Sequence, residues 1–360
     1  MTADPEWRLT WNRGEASILK TGAMLGPARF DLGTAAPVQP FAVAPWSNDT
    51  GPEFDALPPL LKRLRGEWVC VPFGMPDPPG NLPSDWLEGP PSTHGYGAHF
   101  HGYSSNAVWR MAGQDAGSVE LVLEYPENHP VRRVSRIVRG IPDAPRIEFE
   151  LTVDVRDKVQ LPIGLHPTFR LPDAPHSAKL SFAGQPEVHT YPVQAEPGVS
   201  RFEPGRWAVP FDAVPRIEGS PVDLGLHPLD FPTEELVLVT GAGGVAELFV
   251  PDEGYTVRLR WDPGAFPGCM LWISNHGRKA YPWNGRFRAI GIEPIAAPFD
   301  LGTDVAVSVT NPLRRRGFAT AHEFEAGQSW RTRYAIEVSR HDVARGAKVA
   351  GRPRADGDST

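Results

Sequence analysis

Glycine and proline punctuate this chain along its whole length, and that punctuation limits what it can become. The 360 residues include 36 Gly and 40 Pro. Proline removes a backbone donor and fixes φ, while glycine weakens the interior of a helix. Breaks this frequent cut the chain into short elements and favour many strands and turns over long helices.

Between the breaks, apolar runs recur with the length and period of strands. They fall at residues 119–125, 131–138, 147–155, 179–182, 235–240, 246–250, 255–261, 269–274, 287–292, 304–309 and 329–338. Residues 146–155, Arg-Ile-Glu-Phe-Glu-Leu-Thr-Val-Asp-Val, alternate as a strand with one buried face does. Helix is expected only at 55–65, where Pro58 and Pro59 confine it to about two turns. Gly241, Gly243 and Gly244 do not follow the dinucleotide-binding pattern and are expected to form a hairpin turn. No fixed-period repeat argues for a propeller or solenoid. The expectation is all-β: two large, twisted antiparallel sheets packed face to face. Residues 1–340 are expected to form a single sandwich domain. Residues 341–360, rich in Arg, Ala, Gly, Asp and Ser, are expected to form a disordered tail.

Composition excludes several function classes. The net charge of -7 argues against nucleic-acid binding. No run approaches the ~18 apolar residues of a membrane span, so no membrane partner is expected. The opening Met-Thr-Ala-Asp-Pro-Glu-Trp-Arg has no apolar core of a secretory signal. Cys70 and Cys269 are too few for a disulfide framework. The expectation is a reduced, cytoplasmic protein, monomer or homodimer. Most of the 11 Trp are assigned to the core, although Trp also suits sugar stacking.

Two polar residues interrupt the apolar pattern in the same way. His166 ends Leu-Pro-Ile-Gly-Leu-His-Pro, and Glu293 ends Phe-Arg-Ala-Ile-Gly-Ile-Glu-Pro. The following proline pushes each towards an extended conformation at a strand end, where side chains meet a cleft. A histidine and a glutamate held this way suit a general acid and a general base. The alternative is a solvated or hydrogen-bonded pair of strand-end residues with no chemistry.

Three segments resemble the galactose mutarotase-like family, the aldose 1-epimerases and their relatives. They are His-Phe-His-Gly-Tyr-Ser-Ser-Asn-Ala-Val-Trp at 99–109, Gly-Leu-His-Pro-Thr-Phe at 164–169 and Gly-Ile-Glu-Pro at 291–294, in the family's order. The resemblance implies a supersandwich fold and interconversion of sugar anomers by acid–base ring opening. It makes His166 the acid, Glu293 the base and His101 a sugar-binding residue, with Asn106 in the same motif. The family also places a carboxylate on an intervening strand. Here Thr233 falls at that position, with Glu234 and Glu235 beside it, and Glu235 is taken as the substitute; solvated turn carboxylates are the alternative. Sugar-phosphate members carry Arg before the motif's Asn, whereas this chain has Ser105. The loss of that bidentate ligand points to an unphosphorylated sugar. Trp283 and Asn275, in the segment before Glu293, are expected to touch it. Trp272 and the stretch 65–74 are expected to pack.

Two other readings stay open. One is a carbohydrate-binding protein of the same fold without turnover. The other rests on His99 and His101, which on a strand would share one face, as metal ligands do. The residues after them, Gly102 to Asn106, supply no carboxylate. No metal and no cofactor is therefore expected, and the partner is a small carbohydrate.

Overall fold

Side-chain alternation along the strands builds two stacked sheets and a separate face for a site. The computed structural model describes residues 6–88 and 99–340, so the expected tail at 341–360 lies outside the described residues. One sheet has nine strands, in the spatial order Leu226–His227, Ala178–Phe182, Val245–Val250, Tyr255–Trp261, Ser329–Arg340, Arg146–Val155, Val131–Gly140, Ser118–Glu124 and Arg110–Asp115. The other has eight. Its order is Val209–Pro210, Glu187–Thr190, Thr233–Thr240, Gly268–Asn275, Arg288–Ala296, Ile163–Leu165 and Val69–Cys70. Its eighth strand, Thr168–Arg170, also pairs with Arg288–Ala296. The all-β, antiparallel sandwich is as the sequence predicts.

Three local expectations fail. The run at 304–309 is a helix, Gly302–Val307, because a short apolar run carries no period that separates strand from helix. The helix expected at 55–65 is two single turns, Pro52–Asp55 and Pro59–Lys62, each opened by a proline at its first position. A three-stranded sheet of Glu6–Trp11, Gly14–Leu19 and Leu25–Phe30 was not anticipated. The hairpin expected at Gly241, Gly243 and Gly244 is a turn of positive φ that crosses between sheets: the strands it joins, Thr233–Thr240 and Val245–Val250, belong to the eight- and the nine-stranded sheet and do not pair.

The core between the sheets is formed by Val134, Val138, Phe149, Leu151 and Val153 from one side and Val237, Val239, Leu271, Ile273, Ile290 and Ile292 from the other. The alternate residues of the eight-stranded sheet, among them Leu238, Met270, Trp272, Ala289 and Ile295, pack under Trp46, Leu60, Leu64, Phe299 and Leu301. Strands of this sheet are thus buried on both faces, and the second face carries the site.

An ion pair stands inside the sandwich. Arg136 lies between Val134 and Val138 on the inward side of its strand and is 1% exposed. Its guanidinium meets Glu67 Oε2 at 2.5 Å and the Ala23 carbonyl at 3.2 Å. The Tyr334 hydroxyl donates to the other Glu67 oxygen. Removing one partner strands a buried charge, whereas removing both does not. Glu67→Ala is therefore expected to cost about 3–5 kcal/mol in urea unfolding, and Glu67→Leu with Arg136→Met much less. Equal losses for single and double variants would show that the pair is not the source.

Candidate active site

The site starts from a missing side chain. Gly291 precedes Glu293 on the same face of the Arg288–Ala296 strand, and a Cβ there would lie 2.3 Å from Glu293 Oε1. Only glycine leaves room for the carboxylate. Beside it, Pro167 ends the Ile163–Leu165 strand, and its carbonyl accepts the Ile292 amide at 2.9 Å. That closure brings His166 alongside Glu293, with Nε2 and Oε1 3.3 Å apart.

Three contacts fix the imidazole. Its own amide donates to the Trp68 carbonyl at 2.9 Å. Its ring stacks on Trp68 at 3.9 Å between centroids. Nδ1 lies 3.2 Å from Thr168 Oγ1. His101 meets the same ring edge-on at 4.9 Å. His101 has positive φ and is followed by the helix Gly102–Asn106. A side chain at Gly102 would collide with the Pro72 carbonyl, so glycine lets this turn close on the sheet. His99 is exposed and His101 buried. The two do not share a strand face, which removes the geometry of the metal reading.

These residues line a cavity of about 300 Å³, at the small end for ligand pockets (about 300–1,000 Å³). Trp68, Phe100, Trp272 and Trp283 form its aromatic wall, and Arg278 and Asp300 complete the polar part. His101 Nδ1, both Glu293 carboxylate oxygens and Asp300 Oδ1 have no hydrogen-bond partner among the described residues. Orphaned buried polar atoms are rare in folded proteins, and here they share one cavity. A larger hollow of about 910 Å³ lies elsewhere. Its Arg170 and Arg288 are already paired with Glu253 and Asp173.

Burial pushes Glu293, Asp300, His166 and His101 towards their uncharged forms. Glu293 is raised well above the ordinary carboxylate range by desolvation, with Asp300 adding to it. Desolvation lowers His166, with His101 adding to it, and brings His101 down to about 3. Asp300 is raised to about 6 by burial, against a hydrogen bond from Tyr191 and the charge of Arg278. No lysine or arginine pairs with Glu293 among the described residues.

The structure brings together His166, Glu293, His101 and Trp283, and it places the other sequence candidates elsewhere. Glu235 points to the inter-sheet side, where its carboxylate accepts from the Thr233 hydroxyl and the Arg201 and Phe202 amides. Asn275, on the same side of its own strand, donates to the Leu229 and Phe231 carbonyls. Asn106 braces the turn before it by donating to the Phe100 and Gly102 carbonyls. Glu234, one residue from Glu235, is on the cavity side: it accepts from Trp272 Nε1 at 2.5 Å and Ser274 Oγ at 2.9 Å. Arg278 reaches it at 3.4 Å. A one-residue shift exchanges the faces of a strand, and both faces here are apolar. Trp68 and Trp272, expected to pack, also line the cavity. Sequence reading missed Asp300 and Arg278, which come from segments outside the strands.

No protein-family model and no curated protein matches the sequence. Solved structures match the fold. A protein from Synechocystis sp. PCC 6803 is similar with a TM-score of 0.63 at 13% identity, over 94% of this chain and 97% of that one. A galactose mutarotase related enzyme from Lactobacillus acidophilus gives 0.61 at 14% identity, over 94% and 99%. An aldose epimerase homologue from C. elegans gives 0.60 at 14% identity, over 94% and 100%. The fold is that of the galactose mutarotase-like proteins.

The placement of Glu235 has a thermodynamic signature. Burial raises it from the ordinary 4.5 to about 7, against the bonds from Arg201, Thr233 and Phe202. Between those values the folded state binds more protons than the unfolded one. Stability from this group is therefore fully present below about 4.5 and falls as pH rises towards 7. Glu235→Gln lacks that dependence. Its melting temperature, relative to the unsubstituted protein, should rise between pH 4.5 and pH 8. A difference independent of pH would place Glu235 in water.

Proposed function

We propose that this protein interconverts the anomers of an unphosphorylated aldose, with His166 and Glu293 moving the protons. The observation that carries the reading is the 3.3 Å contact between His166 Nε2 and Glu293 Oε1 in an aromatic-walled cavity. In a cyclic sugar the two reacting oxygens, the anomeric hydroxyl and the ring oxygen, are bonded to the same carbon. An acid and a base that serve them must sit side by side, as this pair does.

The steps balance within the pair. Glu293 as carboxylate takes the proton of the anomeric hydroxyl while His166 as imidazolium gives its Nε2 proton to the ring oxygen. The bond between the anomeric carbon and the ring oxygen breaks, leaving the open-chain carbonyl form and an uncharged pair. Rotation about the adjacent carbon–carbon bond presents the other carbonyl face. Closure then runs in reverse: Glu293 returns a proton to the carbonyl oxygen and His166 accepts one from the attacking hydroxyl. The pair carries one exchangeable proton before and after, so nothing is consumed.

The surroundings suit this cycle. Burial favours the uncharged pair, so the charged pair that starts the cycle forms by passing one proton from Glu293 to His166 across the 3.3 Å contact. The Trp68 face against His166 favours the imidazolium. An anionic sugar is disfavoured: Glu293, Asp300 and Glu234 lie on or beside the cavity, and Arg278 is engaged by Glu196 at 2.8 Å and Glu234 at 3.4 Å.

The test is polarimetry on freshly dissolved aldoses. Glu293→Gln preserves shape but cannot accept the proton, so the rate should fall by roughly two to four orders of magnitude with sugar affinity much less affected. Its melting temperature should not fall, since a buried carboxylate without a cation is removed. His166→Asn should behave alike, and the double variant should lose less than the two losses combined. Exhaustive chelation should leave the rate unchanged, because proton transfer supplies both steps. Near-normal turnover in Glu293→Gln with a lowered melting temperature would make Glu293 structural. Sugar binding without any acceleration in the unsubstituted protein would make it a carbohydrate-binding protein.

A further inference from the structure

Asp300 has a place in the cavity that the proton-transfer cycle does not use. Seven residues after Glu293, the chain leaves its strand and turns back to the same cavity wall. Phe299, immediately before Asp300, is fully buried with φ of 54°. A bulky aromatic residue rarely adopts that conformation, and such strain persists where the surroundings impose it. The surroundings are specific. The Asp300 carbonyl accepts the Met75 amide at 2.6 Å, and a side chain at Gly74 would collide with that carbonyl at 2.8 Å. The ring of Tyr191 packs edge-on against Phe299 at 5.3 Å, and its side chain favours the charged form of the Asp300 carboxylate.

The Asp300 side chain is 5% exposed, and Oδ1 has no partner among the described residues. Asp300 lines the cavity, so this oxygen is placed to accept from a ligand there. A buried acceptor left empty costs free energy that a ligand hydroxyl would recover. Asp300 lies too far from any described cation to be read as half of an ion pair.

We propose that Asp300 is a sugar-binding residue whose carboxylate accepts a hydrogen bond from one ring hydroxyl, distinct from the anomeric hydroxyl handled by Glu293. This rests on the sugar reading of the cavity but not on turnover. Asp300 would thus set which aldoses are accepted, because a site built around a hydroxyl rejects the analogue that lacks it.

The experiment measures binding and turnover separately. Binding is read from tryptophan fluorescence, since Trp68, Trp272 and Trp283 line the cavity, and turnover from polarimetry. The ligands are a panel of aldoses and their monodeoxy analogues. Asp300→Ala should weaken binding of a good aldose about 10- to 100-fold, the range for a hydrogen bond to a charged group, and raise KM more than it lowers kcat. Asp300→Asn keeps the shape, guards against misfolding and should give a smaller loss of the same kind. For one deoxy analogue, binding to the unsubstituted protein should already be weak, and Asp300→Ala should cause no further loss. Equal loss across every analogue, or unchanged binding in a folded Asp300→Ala protein, would overturn the assignment. If the unsubstituted protein binds sugars in this pattern without accelerating mutarotation, Asp300 keeps its role and the epimerase reading falls. If it binds no aldose, both fall.

Discussion

The buried contact between Arg136 and Glu67 is the constraint on which the site depends. It crosses the inter-sheet core at 2.5 Å and joins a strand of the nine-stranded sheet to the segment leading into Val69–Cys70. Glu67 is also held by its backbone, which exchanges hydrogen bonds with Leu25 at 2.8 and 3.1 Å. The next residue, Trp68, points the opposite way and presents both its carbonyl and its ring to His166. A charge pair on one face of a short strand thereby sets an imidazole on the other. A buried ion pair is weak evidence for stability in itself. Its effect here is to leave a short edge segment one register and one orientation, which a purely apolar contact specifies less sharply.

The parts of the molecule legible in the sequence are those where local chemistry decides. His166 and Glu293 stand out because a proline follows each at the end of an apolar run, and the structure brings them into contact. The one-sided strands of the nine-stranded sheet were also readable, because their buried faces alternate with polar residues. The strand Thr233–Thr240 was harder. It is buried on both faces, so its apolar run does not say which side Glu234 or Glu235 occupies. Only the neighbours decide: Glu235 meets backbone donors from residues 201 and 202, whereas Glu234 meets Trp272 and Ser274. Asn275 was misplaced for the same reason. Asp300 and Arg278 carried no period at all, since both sit in segments whose paths are set by tertiary contacts such as Met75 with Asp300 and Arg278 with Glu196.

The aromatic wall and the low polarity of the cavity belong to one argument. Trp68, Trp272 and Trp283 wall a space that is also lined by two carboxyl groups and two imidazoles. In such surroundings, isolated charges are costly and proton positions are coupled. Arg278 does not relieve this, because its guanidinium is already held by Glu196 and Glu234 and lies 4.8 Å from the Trp283 ring centre. The chemistry such a cavity favours moves protons between neighbouring groups and leaves no net charge behind. Ring opening and closure of a sugar is chemistry of that kind, and a neutral polyol offers the hydroxyls the unpartnered atoms lack.

Glu293 separates a functional account from a structural one. A carboxylate that serves only the fold is usually paired with a cation or satisfied by donors; Glu235 is satisfied in this way, by one hydroxyl and two amides. Glu293 is 0% exposed, neither of its oxygens has a hydrogen-bond partner among the described residues, and only the histidine stands beside it, 3.3 Å from Oε1. The fold also gives up a side chain at Gly291 to admit it. A hydrophobic residue in its place would bury apolar area at no desolvation cost. Stability gives no reason for this arrangement. The proposed reaction does, because burial raises the proton affinity of an unsatisfied carboxylate that faces the space a ligand would fill.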